Sequence, residues 1–451
     1  MKPLKISISG VRGVVGAGLG PELAARFAAS FATYVGGGPV LLARDGRSTG
    51  LMLRGAVAAG LIASGAEVVD LGICSTAVTQ FLTPLYNAKG AVIISGGHNP
   101  ADWNALMFVR ADGRFLDRYQ GGELLDIFHA NAFRHIPGDG MLPIRHAAHP
   151  VGDYLDAVLQ RVDLAPLARR PFRVAVDCGN GSASLVAPEL LRRIGCEVLA
   201  LYAEPIGEFA RSPEPTPASL TALRSMLRSN QADIGFAFDP DGTRVVVVDE
   251  RGEIPPEDAT LLLVLRGLLP GTSGETVVAS YPTSCAVETL AAGHGARVVR
   301  CRTGDVHVIE AMVNEGAIAG GEGNGGVVVP SLHLAEDGFC GMLAILSLLA
   351  REERPVSALL AELPPVRIQH RNLACAGLQV PALMQRVRAA YEGEDCDLAD
   401  GVRVVRPTEW FQVRAANTEP VLRLTAEAET VARSLTILAE ITELLWPKGG
   451  E

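Results

Sequence analysis

Four loops of this chain carry side chains that could bind a phosphate, a metal ion or a sugar. The first is Ser95-Gly96-Gly97-His98-Asn99-Pro100, which follows the apolar segment AVIIS. Two glycines and an Asn-Pro pair predict a sharp turn with exposed backbone N–H groups, a geometry suited to phosphate. An ordinary strand-to-helix turn explains the same residues about equally well.

The second loop, Asp239-Pro240-Asp241-Gly242-Thr243-Arg244, places two carboxylates on alternate positions after an apolar strand. Carboxylate oxygens are the ligands that Mg²⁺ prefers, and Arg244 could hold a phosphate. The competing interpretation is an Asp-rich turn, because Asp-Gly and Asp-Pro are turn-forming pairs. We favour the metal site. The same D-x-D-G-T pattern also matches the nucleophile motif of haloacid-dehalogenase-type phosphatases, so a phosphatase has to be weighed.

The third loop, residues 320–326, surrounds Glu322 and Asn324 with five glycines. A carboxylate and an amide together could bridge adjacent hydroxyls of a sugar. A glycine-rich loop by itself is weak evidence for such a site.

The fourth loop contains Arg414, Asn417 and Thr418, and Arg423 follows it. Two arginines with amide and hydroxyl donors could clamp a phosphate dianion. The alternative is a solvated hairpin. Nearer the N-terminus, Arg12 lies between glycines, and Asp45 lies in a charged loop where an Arg–Asp ion pair is expected to fix the backbone.

Short apolar strands alternate with helical patterns along most of the chain, which predicts parallel sheets covered on both faces. The predicted strands include 39–44, 66–71, 89–95, 172–177, 244–250 and 366–373, and the predicted helices include 50–64, 182–193, 217–229 and 284–292. Residues 244–250 read as a short antiparallel return. The last quarter of the chain has strands of period-two character and a final helix, which predicts an antiparallel α+β module.

Net charge, apolar run length and cysteine spacing argue against several classes of protein. The 451 residues carry a formal net charge of −10, unlike a nucleic-acid binder. The sequence has no apolar run near the ~20 residues that span a bilayer and no recognisable signal peptide. Eight cysteines without a C-x-x-C pair predict buried, reduced thiols in a cytoplasmic protein.

Taken in this order and spacing, the loops resemble the α-D-phosphohexomutase superfamily, which includes phosphoglucomutase, phosphomannomutase and phosphoglucosamine mutase. The forms GGEGNGG and NTEP and the stretch Trp103-Asn104-Ala105-Leu106 resemble the phosphoglucosamine/phosphomannose branch. The resemblance implies three similar α/β mixed-sheet domains plus a C-terminal α+β domain around a central cleft. We place these domains at residues 1–150, 151–254, 255–365 and 366–451.

The resemblance also implies roles for the loop residues. Asp239 and Asp241 would bind Mg²⁺, while Arg12 and Arg244 would steady the phosphoryl group in transfer. Glu322 and Asn324 would bind sugar hydroxyls. The remaining phosphate would be held by the fourth-loop residues Arg414, Asn417, Thr418 and Arg423. The implied ligand is a phosphorylated hexose or hexosamine, with no nucleic acid or membrane partner, bound by a monomer or homodimer.

The chain departs from the family pattern at its most important position. The family serine that carries the phosphoryl group falls on Gly97, which cannot be phosphorylated. The third metal aspartate falls on Thr243, a lysine falls on Met107, and a Pro-Ser pair falls on Ala415-Ala416.

Three functions follow. The first is a mutase that interconverts 6- and 1-phosphates with altered chemistry, with free sugar 1,6-bisphosphate as phosphoryl donor, or with Ser95 or His98 as a substitute carrier. If the strand continued past Ser95, that side chain would lie about 6–7 Å from the position of residue 97. The second is a catalytically inactive sugar-phosphate binder, and the third is a phosphatase with Asp239 as its nucleophile.

Overall fold

The computed structural model describes residues 4–7, 10–375, 379–416 and 421–446. They pack into two compact units. The first consists of Met1–Leu268 and Gly325–Glu362, and the second of Leu269–Asn324 and Leu363–Glu451. The four predicted domain boundaries divide the chain more finely and stay predictions.

A seven-stranded mixed sheet organises the first 150 residues. Its elements are β1 (Leu4–Ser7), β2 (Gly10–Val14), α1 (Pro21–Tyr34), β3 (Gly38–Arg44), α2 (Thr49–Ala63), β4 (Ala66–Ile73), α3 (Thr76–Leu85), β5 (Gly90–Ile94), β6 (Trp103–Arg110), α4 (Arg118–Ala130) and β7 (Arg145–His146). The strand order is β1-β2-β6-β5-β3-β4-β7. Every residue of β5 is buried, as expected for a strand covered on both faces.

The second α/β region is smaller. It contains α5 (Pro150–Leu159), α6 (Ala165–Arg169), β8 (Arg173–Asp177), α7 (Ala187–Arg193), β9 (Glu197–Leu201), α8 (Thr221–Asn230), β10 (Ile234–Phe238) and β11 (Val245–Val248). The sheet order is β11-β10-β8-β9. β11 pairs antiparallel with β10, which confirms the predicted return.

The third region contributes to both units. It contains α9 (Ala259–Leu268), β12 (Thr276–Ser280), α10 (Ala286–Gly293), β13 (Arg297–Cys301), α11 (Asp305–Glu315), β14 (Ala319–Gly321), β15 (Val327–Val328), α12 (Gly338–Glu352) and α13 (Val356–Ala361). In the second unit, β12 pairs in parallel with β13 and β14. The long helix α12 lies in the first unit.

The C-terminal region is the predicted antiparallel module. It contains β16 (Gln369–Ala374), α14 (Val380–Ala390), β17 (Cys396–Asp397), β18 (Val402–Val405), β19 (Glu409–Ala415), β20 (Val421–Ala428) and α15 (Val431–Leu445). The strand order is β16-β20-β19-β18-β17. Helices α14 and α15 cover the apolar core of this sheet.

Two of the predicted helices begin more than two residues later than expected. Helix α8 starts at Thr221 rather than at residue 217, because the Oγ of Ser219 accepts the Thr216 N–H and stabilises a turn there. The segment predicted as one helix over 182–193 begins as a 3₁₀ turn, Ser182–Leu185, and only then becomes α7. None of the helices in the described ranges is long and apolar enough to cross a membrane.

Candidate active site

The loop after β5 faces the aspartate loop after β10. Gly97 has φ +53°, in the left-handed region that glycine adopts at low cost. A Cβ on Gly97 would lie 3.6 Å from Oδ2 of Asp241, with no other atom within 4 Å beyond its chain neighbours. Position 97 therefore presents an open space directed at the predicted metal loop.

Arg47 holds the Gly97 loop in place. Its guanidinium is almost fully buried and pairs with Asp45, which confirms the ion pair expected for that loop. Its Nη2 donates to the carbonyls of Gly97, at 2.9 Å, and Asn99, at 2.6 Å. The ring of Phe209 lies 4.8 Å from the guanidinium carbon. These contacts fix the backbone next to position 97.

Ser95 lies inside this hydrogen-bond network. Strand β5 ends at Ile94, so the strand offset assumed for Ser95 does not apply. Its Oγ donates to Asp45 at 3.1 Å, accepts the Gly97 N–H at 3.0 Å and lies 3.5 Å from Oδ2 of Asp241. With 1% of its surface exposed, Ser95 is enclosed by the protein. This environment does not favour Ser95 as a substitute carrier.

The aspartate loop converges on a single threonine. The Oγ1 of Thr243 lies within hydrogen-bond distance of Asp239, at 3.1 Å, and Asp241, at 3.3 Å. The backbone N–H of Arg244 donates to Asp239 at 3.0 Å, and the Oγ1 of Thr76 donates to Asp241 at 3.0 Å. The loop thus gathers two buried carboxylates and one hydroxyl.

This donor set fits Mg²⁺. Burial, and then the carboxylate of Asp241, raise the pKa of Asp239 well above its ordinary value. A divalent cation would relieve that repulsion, and Mg²⁺ is commonly held by one or two carboxylates with water and substrate phosphate completing the shell. The described residues contain no cluster of three or more His, Cys, Asp or Glu suited to a metal. Any Mg²⁺ here would therefore use Asp239, Asp241 and the hydroxyl of Thr243.

The other predicted residues of the first unit lie on the same loops or on β2. His98 is half-buried and adjoins Gly97, while Arg244 leads into β11 and forms a bridge with Gly326. Arg12 lies on β2, opposite Ala105 of β6. The loops bring position 97 together with the aspartates, whereas Arg12 is placed only on the neighbouring strand.

Sequence reasoning missed two supports of the aspartate loop. Arg211 donates from Nε to both carboxylate oxygens of Asp177, at 3.0 Å each, and from Nη2 to the carbonyl of Phe238, at 2.7 Å. It therefore anchors the residue just before Asp239. Thr76 was also missed. It opens helix α3 and could have been noticed only as part of a Ser-Thr helix start.

In the second unit, Glu322 organises the glycine loop. Its carboxylate accepts the Gly304 N–H at 2.9 Å and the side-chain amide of Asn324 at 3.1 Å. The N–H of Gly323 donates to Thr283 at 3.1 Å. The two residues predicted to bind sugar hydroxyls are thus in direct contact, and Glu322 is held rigidly.

The fourth loop brings two arginines together. Arg414 on β19 and Arg423 on β20 are directly opposite in the antiparallel register, so both side chains extend from the same face of the sheet. Burial lowers the pKa of Arg414, and Asp400 opposes that shift. Asn417 and Thr418 lie outside the described residues.

Asp400 connects the fourth loop to the third region and was not predicted. Its carboxylate accepts the backbone N–H and the hydroxyl of Thr303, at 3.0 and 2.6 Å. The same oxygen lies 3.8 Å from Nε of Arg414, and Gln412 donates to the Asp400 carbonyl at 2.6 Å. Glu322 also acts electrostatically on Arg414. Within the second unit, the candidate sugar ligand Glu322 and the candidate phosphate ligand Arg414 therefore interact electrostatically.

Comparison with protein families matches nearly the whole chain to four domains of one description, phosphoglucomutase/phosphomannomutase. Alpha/beta/alpha domains I, II and III and the C-terminal domain match residues 4–135, 152–252, 256–366 and 372–444.

Individual relatives agree. A probable phosphoglucosamine mutase of Methanopyrus kandleri is 36% identical over 446 residues, covering 97% of this chain and 96% of that protein. The crystal structure of a phosphoglucomutase/phosphomannomutase family protein of Burkholderia thailandensis is 28% identical, with a TM-score of 0.85, and the match covers 99% of this chain and 98% of that one.

A more distant likeness shows the fold alone. Aspergillus fumigatus N-acetylphosphoglucosamine mutase, crystallised with GlcNAc-6P and magnesium, is 15% identical at a TM-score of 0.56, over 91% of this chain and 78% of that one. A serine-to-alanine form of the same mutase, in complex with glucose 1,6-bisphosphate, is 12% identical at a TM-score of 0.60, over 100% and 96%.

Proposed function

Because this chain belongs to the α-D-phosphohexomutase superfamily, we propose that it exchanges phosphoryl groups between the 6- and 1-positions of a hexose or hexosamine. The observation that carries this proposal is the geometry at Gly97, where a Cβ would point into open space and lie 3.6 Å from Oδ2 of Asp241. The space beside position 97 is open toward a candidate metal ligand, although the residue there carries no nucleophile. The M. kandleri relative and the family motifs favour glucosamine or mannose phosphates as substrates.

The residues of the first unit would act on the phosphoryl group in transfer. Mg²⁺, held by Asp239, Asp241 and Thr243, would supply positive charge to the phosphoryl oxygens. Arg244 and Arg12 would neutralise the charge that spreads over those oxygens as the group moves. In the second unit, Glu322 and Asn324 would select the sugar hydroxyls, and the fourth-loop residues Arg414, Asn417, Thr418 and Arg423 would hold the other phosphate.

Because Gly97 cannot carry a phosphoryl group, we propose that the group comes from outside the chain. We take the donor to be a sugar 1,6-bisphosphate. The donor P–O bond breaks while the free hydroxyl of the monophosphate forms a new bond to phosphorus. The proton of that hydroxyl ends on the oxygen of the donor sugar. The acceptor leaves as bisphosphate and the donor as monophosphate, so the exchange balances without a phosphorylated residue.

A coupled assay tests this proposal. Hexose and hexosamine 1-phosphates are offered with Mg²⁺, with and without added 1,6-bisphosphate. We expect turnover only when the bisphosphate is present, and a loss of at least about 100-fold in Asp241→Asn, because the Mg²⁺ that would stabilise the phosphoryl charge loses a carboxylate ligand. Turnover without bisphosphate, together with a phosphorylated Ser95 or His98, would replace external donation with an internal carrier.

A second candidate function is binding without turnover. The observations that favour it are Gly97 itself and the single hydroxyl of Thr243 where a third carboxylate would strengthen the metal site. Calorimetric binding of glucosamine 6-phosphate with no product under any donor condition would establish it.

No observation favours the phosphatase, because Asp239 is buried and already accepts bonds from Thr243 and the Arg244 backbone. Phosphate release that is lost in Asp239→Asn would revive it.

A further inference from the structure

The second unit contains an open cavity apart from the residues assigned above. Its volume is about 400 Å³, and it lies between the start of helix α10 and the strands β18, β19 and β20. Cys285, Arg403, Trp410 and Glu427 are among its lining residues. None of them belongs to the four loops that were predicted to bind phosphate, metal or sugar.

Arg403 is the unusual member of this lining. Its guanidinium carbon lies 4.9 Å from the centre of the Trp410 ring and 5.5 Å from that of Tyr281. Its Nε is buried and has no hydrogen-bond partner. Across the described parts of the chain, no carboxylate lies within ion-pair distance of it. Two aromatic rings thus orient a cation whose Nε donor is left unused.

The surroundings of Arg403 are electrostatically mixed. Burial lowers the pKa of Arg403 and the neighbouring Arg300 lowers it further, whereas Cys285, Glu288 and Asp397 act in the opposite direction. Arg300 does have its own counter-charge, since it pairs with Glu288 at 2.7 Å. The second guanidinium therefore repels Arg403 without providing it with an acceptor.

The carboxylates of the cavity are already engaged. Glu427 accepts bonds from the Ser284 hydroxyl, the Cys285 N–H at 2.8 Å and the Trp410 indole at 3.0 Å. Glu409 pairs with Arg406 at 2.6 Å and Arg433 at 2.8 Å. Glu429, the third carboxylate of the lining, is exposed to solvent. No described residue accepts a hydrogen bond from Arg403, which is half-buried, so an anion in the cavity would supply its guanidinium with a charged acceptor.

We propose that this cavity binds a small oxyanion, a phosphate or a carboxylate, with Arg403 as its principal ligand. A guanidinium presents paired N–H donors that match the two oxygens of such groups. Stacking on Trp410 and Tyr281 holds the fork in position, so little side-chain entropy is lost on binding. The lining of this cavity includes neither Arg414 nor Arg423, to which the other phosphate position is assigned.

Fluorescence of Trp410 tests the proposal. The chain has three tryptophans, so W103F/W446F leaves Trp410 as the sole reporter. Inorganic phosphate and acetate are titrated separately at constant ionic strength. We expect a saturable change in emission with at least one of them, and an affinity at least about tenfold weaker in Arg403→Gln. Which anion saturates identifies the ligand class.

Controls separate this site from the other phosphate position and from unfolding. Arg118→Gln removes an exposed arginine of the first unit and should leave the titration unchanged, as should Arg414→Gln. Arg403→Lys keeps the charge but loses the fork, so it should melt like the parent protein and still bind weakly. No saturation up to about 100 mM of either anion, or equal affinity in Arg403→Gln, would overturn the proposal.

Alkylation of Cys285 gives a second readout. Cys285 is an exposed residue that lines the cavity, and partial desolvation of its thiol raises the pKa of that group to about 11. A bound oxyanion should slow its reaction with iodoacetamide several-fold, as measured by peptide mass spectrometry, and Arg403→Gln should abolish the protection. Protection that survives in Arg403→Gln would contradict the assignment.

Discussion

At the scale of single residues, the space beside Gly97 decides what the first unit can do. The backbone there is fixed by Arg47 and Ser95, and a Cβ on residue 97 would lie 3.6 Å from Oδ2 of Asp241. A Cβ could therefore be added without displacing a neighbour. The left-handed φ of +53° opposes the addition, at about 1–2 kcal/mol for a residue with a Cβ.

Gly97→Ser should restore a phosphoryl carrier. After incubation with glucose 1,6-bisphosphate and Mg²⁺, we expect intact-protein mass spectrometry to show a stable gain of about 80 Da, mapped to residue 97. The hydroxyl would extend into the open space next to the metal ligands. Gly97→Ala is the matched control, because it imposes the same backbone cost without a nucleophile. A serine variant that gains no mass would show that the loop no longer handles phosphoryl groups.

Thr243→Asp should strengthen the metal site. A third carboxylate beside Asp239 and Asp241 adds repulsion without metal and attraction with it. In EDTA the variant should have a lower melting temperature than the parent protein. Saturating Mg²⁺ should stabilise the variant more than the parent, by about 1.4 kcal/mol for each tenfold gain in Mg²⁺ affinity. Thr243→Asn controls for side-chain size. Equal Mg²⁺-induced shifts in parent and Asp variant would argue against metal ligation at this loop.

At the scale of elements, helix α12 is held by a buried carboxylate at its first turn. Asp337 caps the helix by accepting the N–H groups of Phe339 and Cys340, at 2.9 and 3.0 Å. Its other oxygen is 2.8 Å from the hydroxyl of Tyr154 and 2.9 Å from Nδ1 of His333. One side chain thus ties α12 to α5 and to the segment before the helix.

Asp337→Ala should destabilise the first unit by about 3 kcal/mol or more. The substitution uncaps α12 and leaves two buried polar partners without an acceptor. Urea unfolding followed by far-UV circular dichroism measures the loss, which should fall in one transition if the two units melt separately. Asp337→Asn keeps an acceptor oxygen and should lose less. A loss below about 1 kcal/mol in the alanine variant would contradict this account.

Elements also show how far the sequence could be read. The four candidate ligand-binding loops could be found in the sequence because clusters of glycine, proline and aspartate directly after apolar strands are distinctive. Strand β6 was not predicted, although Trp103–Arg110 is almost wholly buried, because apolar runs of that length do not distinguish strand from helix. The contact between Asp400 and Thr303 could not be predicted for another reason. They are 97 positions apart and acquire their role only through a tertiary contact.

At the scale of the whole molecule, the candidate phosphate ligands are divided between the two units. Arg244 belongs to the first, and Arg414 and Arg423 belong to the second. The proposed function assigns each set one phosphate of a sugar bisphosphate. If each set holds one phosphate, as the proposed function has it, a monophosphate would depend mainly on one set and a bisphosphate on both, so the two ligands should respond differently to substitution.

We therefore expect Arg414→Gln to weaken binding of both glucosamine 6-phosphate and glucose 1,6-bisphosphate by about 10- to 100-fold, the range for one charge-assisted contact. Arg244→Gln should weaken the bisphosphate by a similar factor and the monophosphate much less. Isothermal titration calorimetry measures all four affinities, with Arg118→Gln as the charge-matched control. Because calorimetry measures binding rather than catalysis, the expected pattern of affinities does not depend on turnover. It also applies to a protein that binds without catalysis. If Arg244→Gln left the bisphosphate affinity unchanged while Arg414→Gln abolished it, only the second unit would be engaging the ligand, and the assignment of Arg244 to the transferring phosphate would be wrong.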